Sequence, residues 1–206
     1  ACTGSDLSVI SFNGNKTVTS GGGGTIVGND AGLLSLARHL GTTARLKPDY
    51  DHDMIGFNYR MTNLQAALGL AQVERLAEFV ARKRHMGKRY TELLGAIPGL
   101  ELPLERTGYA DNIYWVYGMA LNDDVPFDTE EAMRRLADRK IGTRPFFWPM
   151  HEQPVFRKMG LFLNERHPVA ERLARRGFYI PSGMALTDEQ MDEVAEGVKE
   201  LMRVEG

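Results

Sequence analysis

The chain has 206 residues, 43% hydrophobic and 25% charged, which is the composition of a globular protein able to form a core. Its 25 basic and 27 acidic residues give a net charge of −2, too weak a field to recruit nucleic acid or an anionic membrane. Cys2 is the only cysteine, which excludes an internal disulfide, and no apolar run approaches the roughly 20 residues of a bilayer span. We therefore expect a soluble cytoplasmic protein without nucleic-acid or membrane partners.

The first part of the chain is rich in glycine and in strand-forming residues. Leu7–Phe12 predicts a strand, and the β-branched run Thr25–Val27 predicts another directly after four glycines, Gly21–Gly24. A short helix is expected near Asp30 to Leu40. Because an α/β sheet normally buries a strand between neighbours, we also expect the complete protein to have sequence before this first strand.

Helical patterns dominate beyond Thr62. Thr62 can cap a helix whose apolar residues recur every three or four positions, and a shift of phase predicts a break near residue 75. The remaining predicted elements are a strand over Asn112–Leu121, a helix from Asp128 to about Arg139, an extended segment over Ile141–Phe147, a helix from Pro168 to about Arg176, and a last helix after the capping box Thr187/Gln190. The order is mixed α and β throughout.

Lys16 lies between small residues in the segment SFNGNKTVTSGGGG. Glycines let backbone N–H groups close around an anion, but a nucleotide P-loop has its glycines before a Gly-Lys-Ser/Thr end. A dinucleotide fingerprint opens a helix, whereas these glycines lead into a predicted strand. The residues alone therefore favour a plain hairpin with an exposed lysine.

Five segments together resemble the DegT/DnrJ/EryC1 family of nucleotide-sugar aminotransferases. They are SFNGNKTVTSGGGG, HDMIGFNYRMTNLQAALGLAQVERL, YWVYG, TRPFFWPMH and IPSG, in the family's order and across essentially the whole chain. The resemblance implies the α/β type I fold of pyridoxal phosphate-dependent aminotransferases, with residues 1–75 ending the large domain and 76–206 forming a small α+β domain. The NGNK and PMH forms resemble enzymes that aminate C4 of a nucleotide-linked 4-keto-6-deoxy sugar, the perosamine and bacillosamine type.

The resemblance implies a role for each motif residue. Lys16 is expected to bond covalently to the aldehyde of pyridoxal phosphate and, once displaced, to move a proton between substrate and cofactor. Ser11 is expected to bind the cofactor phosphate, and Asn58 to reach the phosphate in the neighbouring subunit of a homodimer with shared active sites. Tyr59 and Arg60 are candidates for substrate contact, although each could equally lie at the rim of the dimer interface.

His151 of the PMH segment is expected, by the same resemblance, to contact the sugar from the small domain. A lone histidine is more often structural, so this assignment depends on its neighbours Trp148–Met150, which match the family segment. Trp115 and Tyr117 are better explained as core side chains, because aromatic residues at strand spacing usually pack inward. No metal site is predicted.

Basic residues offer one further possibility, a polyphosphate site formed by Arg45, Lys47 and the run RKRHMGKR at 82–89. A solvated helix face is the simpler explanation of that run.

The resemblance implies an enzyme that passes an amino group from glutamate to a nucleotide-linked keto sugar. Lys16 argues against the related sugar dehydratases, in which a histidine replaces the cofactor lysine. The family's aspartate partner of the pyridine nitrogen belongs to a D-x-A segment that this chain lacks, and Asp6, ten residues before Lys16, is not assigned that role. The alternative hypothesis is a non-catalytic C-terminal fragment that needs an N-terminal half to form the cofactor site.

Overall fold

The structure is a computed structural model that describes residues 4–46 and 50–203. Cys2 and Lys47 lie outside the described residues. The polyphosphate hypothesis for Lys47 therefore stays a prediction. The chain divides into two compact units, residues 1–79 and 80–206. None of the helices in the described part of the chain combines the length and apolar character that a membrane span requires.

Both units contain strands and helices, which confirms the mixed α and β order expected from the sequence. The strands are β1 Leu7–Ser11, β2 Gly24–Gly28, β3 Leu100–Glu101, β4 Tyr117–Leu121, β5 Arg144–Pro145 and β6 Gly177–Ile180. The helices are α1 Ala31–Gly41, α2 Asn63–Glu74, α3 Leu76–Leu94, α4 Thr129–Asp138, α5 Pro154–Lys158, α6 Pro168–Arg176 and α7 Asp188–Met202, with a short 3₁₀ helix at Met150–Glu152.

The helix starts follow the capping residues. Asp30 accepts a hydrogen bond from the Leu33 amide at 3.0 Å and begins α1. Thr62 forms a capping box with Gln65 at the start of α2, and the predicted break follows at Arg75. The predicted caps at Asp128 and Thr187 are likewise confirmed at the starts of α4 and α7.

The first unit is a hairpin with two helices. β1 and β2 pair antiparallel, with Ser11 opposite Gly24, as the hairpin interpretation predicts. Among its described hydrophobic residues only Ala44 and Phe79 are buried, whereas Val9 is 77% exposed and Leu64 is 85% exposed. The unit therefore presents apolar surface on its sheet and on α2 without an internal core of its own.

The second unit holds the hydrophobic core. Its antiparallel sheet has the strand order β3-β4-β6-β5. Alternate residues of β4 and one face of α7 point into this core, together with residues of α3 and β6. The largest fully buried side chains are Tyr90, Tyr117, Phe178, Met86, Leu94, Met119, Leu121, Leu136, Ile180, Met191 and Val198.

The strand predicted over Asn112–Leu121 is too long. Only Tyr117–Leu121 is a strand, because Tyr114 has a left-handed φ of 52° that breaks the alternation before it. Tyr114, not Trp115, is buried, and its ring fills a slot that a Cβ at Gly87 would close. The core assignment is thus correct for Tyr117 and wrong for Trp115, which is half-buried and stacks on Phe147 at 6.1 Å.

The basic run at 82–89 is only partly a solvated face. Lys83 is 5% exposed, and its ammonium donates hydrogen bonds to the Trp115 carbonyl at 2.8 Å and to the Ser182 carbonyl. Burial lowers the pKa of Lys83 to about 8. Its neighbour Arg89 pairs with Asp192 of α7 at 2.6 Å. The run therefore fastens α3 to the loops and helix beside it.

Replacing Lys83 with methionine will lower the free energy of unfolding by about 1–3 kcal/mol at pH 7, because two carbonyls lose their donor. The difference in free energy of unfolding between the wild type and the variant will grow between pH 8 and 10.5. Over that interval the folded wild type has released the Lys83 proton while the unfolded chain still binds it, so the wild type gains stability as the pH rises. Urea titrations of the complete protein at pH 7 and 10 measure both effects.

Lys88→Met is the matched control, since Lys88 lies on the same helix with an exposed side chain 3.5 Å from Glu105. Exposed ion pairs contribute little, so this variant should stay within about 0.5 kcal/mol of the wild type. Equal losses in the two variants would contradict the structural role of Lys83.

Candidate active site

Ser11 and Lys16 lie on the connection between β1 and β2. Ser11 ends β1, and its exposed hydroxyl oxygen accepts a hydrogen bond from the Asn13 amide at 3.2 Å. The Lys16 amide donates to the Asn13 carbonyl at 3.0 Å, which turns the chain just before the half-buried lysine side chain. The spacing of five residues therefore places a hydroxyl and an amine on one tight connection.

The glycine run after Lys16 forms the return of this connection. Gly21 and Gly23 have φ values of 78° and 84°, a left-handed conformation that strains other residues. A Cβ at Gly23 would lie 2.8 Å from the Met61 side chain, so the glycine also allows the turn to approach the residue that precedes the Thr62 cap. The hairpin predicted from the sequence is confirmed, and its glycine turn is tight and left-handed.

Asn58 lies on a segment that backbone hydrogen bonds attach to the end of α1. The amides on either side of Asn58 donate to the carbonyls of Leu40 and Gly41, at 2.7 and 3.0 Å. The Asn58 side chain is exposed and makes no hydrogen bond to any other described residue, so it does not serve as a turn cap. Tyr59 is 76% exposed, and Arg60 is also exposed. All three side chains remain accessible to a ligand or a partner.

His151 belongs to the second unit, in the 3₁₀ helix that precedes α5. It is 5% exposed, which is far more buried than a side chain expected to contact a sugar. Its Nε2 lies 3.0 Å from Oε1 of Glu171 on α6, and the His167 ring meets its ring edge-on at 4.7 Å. The imidazole is therefore held between two elements, with its position fixed by Glu171.

His151, Glu152 and Glu171 could present three metal-ligand atoms, which lie within 4.8 Å of one another. Each carboxylate already has a cationic partner, however. Glu152 pairs with Arg175 at 3.0 Å, and Glu171 lies 3.4 Å from Arg166. We interpret the group as an ion-pair network in which guanidinium groups supply the positive charge.

The residues of the first unit fit the lysine and phosphate sides of pyridoxal phosphate in their chemistry. Lys16 supplies a primary amine, and the Ser11 hydroxyl keeps its own proton for a phosphate oxygen because it accepts, and does not donate, toward Asn13. A partner for the pyridine nitrogen is not supplied by Asp6. It precedes β1, so five strand residues of about 3.4 Å each separate it from the Lys16 connection.

The profile of the DegT/DnrJ/EryC1/StrS aminotransferase family matches residues 1–199. The chain belongs to this family. The family is one of pyridoxal phosphate-dependent sugar aminotransferases, so the family and fold expected from the five motif segments are confirmed.

The proteins that this chain resembles are about twice as long as the chain itself. It is 36% identical to the GDP-perosamine synthase of Escherichia coli O157:H7, over 95% of this chain and 51% of that protein. It is 33% identical to the GDP-perosamine synthase of Vibrio cholerae, over 94% and 52%. The crystal structure of the aminotransferase TlmJ from Streptoalloteichus hindustanus superposes with a TM-score of 0.84 and 27% identity, covering 95% of this chain and 52% of that one. The chain thus spans about half the length of these proteins.

Sequence reasoning missed Glu171 and the inward role of Lys83. The pattern predicted α6 from Pro168, which places Glu171 in the first helical turn, where a carboxylate is favourable without any partner. Nothing in the spacing indicates that Glu171 also reaches a histidine 20 residues earlier.

Proposed function

We propose that the complete protein transfers an amino group from glutamate to a nucleotide-linked 4-keto-6-deoxy sugar. The observation that carries this proposal is Lys16, a half-buried amine on the β1–β2 connection of a chain that belongs to a sugar aminotransferase family. Pyridoxal phosphate, when bound, supplies an electron sink for the reacting carbon. The similarity to GDP-perosamine synthases supports a 4-keto sugar as the acceptor.

The chain's own residues divide the work. Lys16 holds the cofactor covalently and moves a proton, a role that suits a lysine whose backbone is held by the turn at Asn13. Ser11 donates its hydroxyl proton to the cofactor phosphate. Asn58, with an exposed carboxamide, reaches the site of a second subunit in a homodimer, and Tyr59 and Arg60 contact the substrate beside it.

The proposal also assigns the two parts of the chain. Residues 1–75 form the end of the cofactor-binding domain, and residues 76–206 form the small domain that contributes His151 to the sugar site. A cytoplasmic location completes the proposal, because both proposed substrates, glutamate and a nucleotide-linked sugar, are highly polar metabolites.

A panel of nucleotide-linked 3-keto and 4-keto sugars, assayed with the complete protein and glutamate, tests the reaction. We expect 2-oxoglutarate and one amino sugar to form in equal amounts, with the 4-keto sugars preferred. Mass spectrometry of the sugar locates the new amine. Amination of none of the sugars, or loss of water from the sugar without amine transfer, would overturn the proposal.

The second candidate function is the non-catalytic fragment. The exposed apolar residues of the first unit, such as Val9 at 77%, favour it, because a unit without a core needs another polypeptide to cover it. The coding sequence directly before Ala1 distinguishes the two candidates, because an in-frame D-x-A segment there would exclude a separate non-catalytic fragment.

Asn58 allows a test of the shared site. Mixing a complete Lys16→Ala protein with a complete Asn58→Ala protein, under conditions that exchange subunits, should restore activity. Each mixed dimer then has one site with both defects and one site with neither, so about one quarter of the wild-type activity is expected from a random mixture. Transaminase rates before and after mixing measure the effect.

Lys16→Ala mixed with Tyr109→Ala is the control, because Tyr109 is 93% exposed in the second unit and has no proposed role. We expect Tyr109→Ala to be active before mixing, so any activity of this control mixture comes from that variant and not from complementation between two inactive proteins. If the Asn58 mixture stays as inactive as its parents while native mass spectrometry shows mixed dimers, Asn58 does not act across subunits.

A further inference from the structure

We propose that Glu171 is a positioning residue that sets the tautomer and orientation of His151, so that the Nδ1 atom of His151 is the nitrogen that meets the sugar. This inference rests on the proposed function, in which His151 contributes to the sugar site.

The hydrogen bond between the two side chains defines the tautomer. Oε1 of Glu171 lies 3.0 Å from Nε2 of His151, and the side chains are only 14% and 6% exposed. An ionised carboxylate can only accept, so Nε2 must carry the proton. In the neutral ring, Nδ1 then has a free lone pair.

Nδ1 is the nitrogen that the protein leaves for a ligand. Among the described residues it has no hydrogen-bond partner, whereas Nε2 is occupied. Nδ1 is not one of the described side-chain atoms that are both fully buried and unpartnered, so it is open to a partner from outside the unit. A sugar hydroxyl can donate to the Nδ1 lone pair, and this is the contact we assign to His151.

Glu171 is held as firmly as the ring that it orients. Its Oε1 also accepts from the His167 amide at 2.9 Å, at the start of α6, and Arg166 lies 3.4 Å away. The hydrogen bonds from the His167 amide and from His151 lower the pKa of Glu171, so it stays ionised at neutral pH. The carboxylate is therefore a fixed acceptor.

The other charged groups around His151 act on its backbone or on each other. Arg157 of α5 lies with its Nε 3.4 Å from the His151 carbonyl oxygen, and Arg175 of α6 pairs with Glu152. His167 meets the ring edge-on and pairs with Glu165 at 3.1 Å. Among the described residues, Glu171 is thus the charged side chain that bonds to the imidazole itself.

Two substitutions separate hydrogen bonding from charge. Glu171→Gln keeps a carbonyl oxygen that can accept from His151 and from the His167 amide, whereas Glu171→Met fills similar space without an acceptor. We expect Glu171→Met to raise the KM for the preferred keto sugar about tenfold with kcat changed less than threefold, and Glu171→Gln to stay within threefold of the wild type in both.

A double-mutant cycle tests whether Glu171 acts through His151. Once His151→Ala has removed the ring, adding Glu171→Met should raise the KM no further. Glu165→Met is the matched control, because Glu165 belongs to the same network through His167 but does not contact His151. It should leave the KM unchanged, and a tenfold rise in this control would indicate a general loosening of the segment.

Nitrogen NMR of histidine-labelled complete protein provides a readout that does not depend on turnover. The wild type and Glu171→Gln should show His151 as the Nε2–H tautomer, and Glu171→Met should show a mixture. Retention of the single tautomer in Glu171→Met, or additive KM effects in the double mutant, would overturn the inference. If the wild type aminates none of the sugars, the proposed function fails and the sugar contact with it, while the spectra still decide whether Glu171 orients the ring.

Discussion

Replacing Lys16 with alanine in the complete enzyme will abolish transamination and leave the fold intact. The proposed role of the amine is both covalent and proton-transferring, and proton transfer by a positioned side chain alone contributes about 10²–10⁴-fold. Lys16 lies in the turn after β1, not in the hydrophobic core, so its loss should cost little stability. Single-turnover assays with glutamate measure the first effect, and thermal unfolding measures the second.

Reductive trapping assigns the lysine directly. Borohydride treatment of the wild type with bound pyridoxal phosphate should attach the cofactor to a peptide that contains Lys16, as seen by peptide mass spectrometry. Lys88→Ala, which removes an exposed lysine of α3, should label as the wild type does. Recovery of the cofactor on Lys47 or Lys140 would show that the assignment is wrong.

The 206-residue chain by itself will bind pyridoxal phosphate weakly and catalyse no transamination. Lys16, Ser11 and Asn58 are the residues proposed for the amine and phosphate side of the site, but Asp6 is separated from Lys16 by the full length of β1. Without a carboxylate at the pyridine nitrogen, Lys16 should react with the cofactor little better than a surface amine. Visible absorbance titrations and assays with glutamate and the preferred keto sugar measure both expectations.

The same chain will also associate or require a second polypeptide for solubility. Ile55 and Leu64 are 88% and 85% exposed, and within the described residues β1 and β2 pair only with each other, which leaves their outer edges open beside exposed apolar residues. Light scattering during purification tests this, with residues 80–206 tested alongside because that unit has its own core. A monodisperse 206-residue chain with a stoichiometric cofactor band and turnover would contradict the expectation, and Asp6→Asn would then be the first variant to make.

The features predicted well from the sequence are the local ones. Asp30, Thr62 and Thr187 begin helices because a cap requires only a side chain and an amide two or three residues later. The turn at Gly21–Gly24 is local in the same sense. The role predicted for Lys16 came from the family motif, because the neighbouring residues by themselves are typical of any lysine in a hairpin.

The features predicted poorly depend on partners distant in the chain. The strand prediction failed at Tyr114 because its ring fits against Gly87, a contact that alternation of residue types cannot indicate. The prediction that Lys83 lies on a solvated face is wrong because its ammonium binds two backbone carbonyls, at Trp115 and Ser182. Such acceptors have no sequence signature. His151 and Glu171 pair across 20 residues for the same reason.

The buried amine of Lys83 is one that an aldehyde can reach only when the surrounding structure opens, unlike the exposed lysines of the chain. Its 5% exposure keeps reagents away. The rate at which a small aldehyde modifies Lys83 therefore reports how often this unit opens locally. This measurement of local unfolding is independent of the active site.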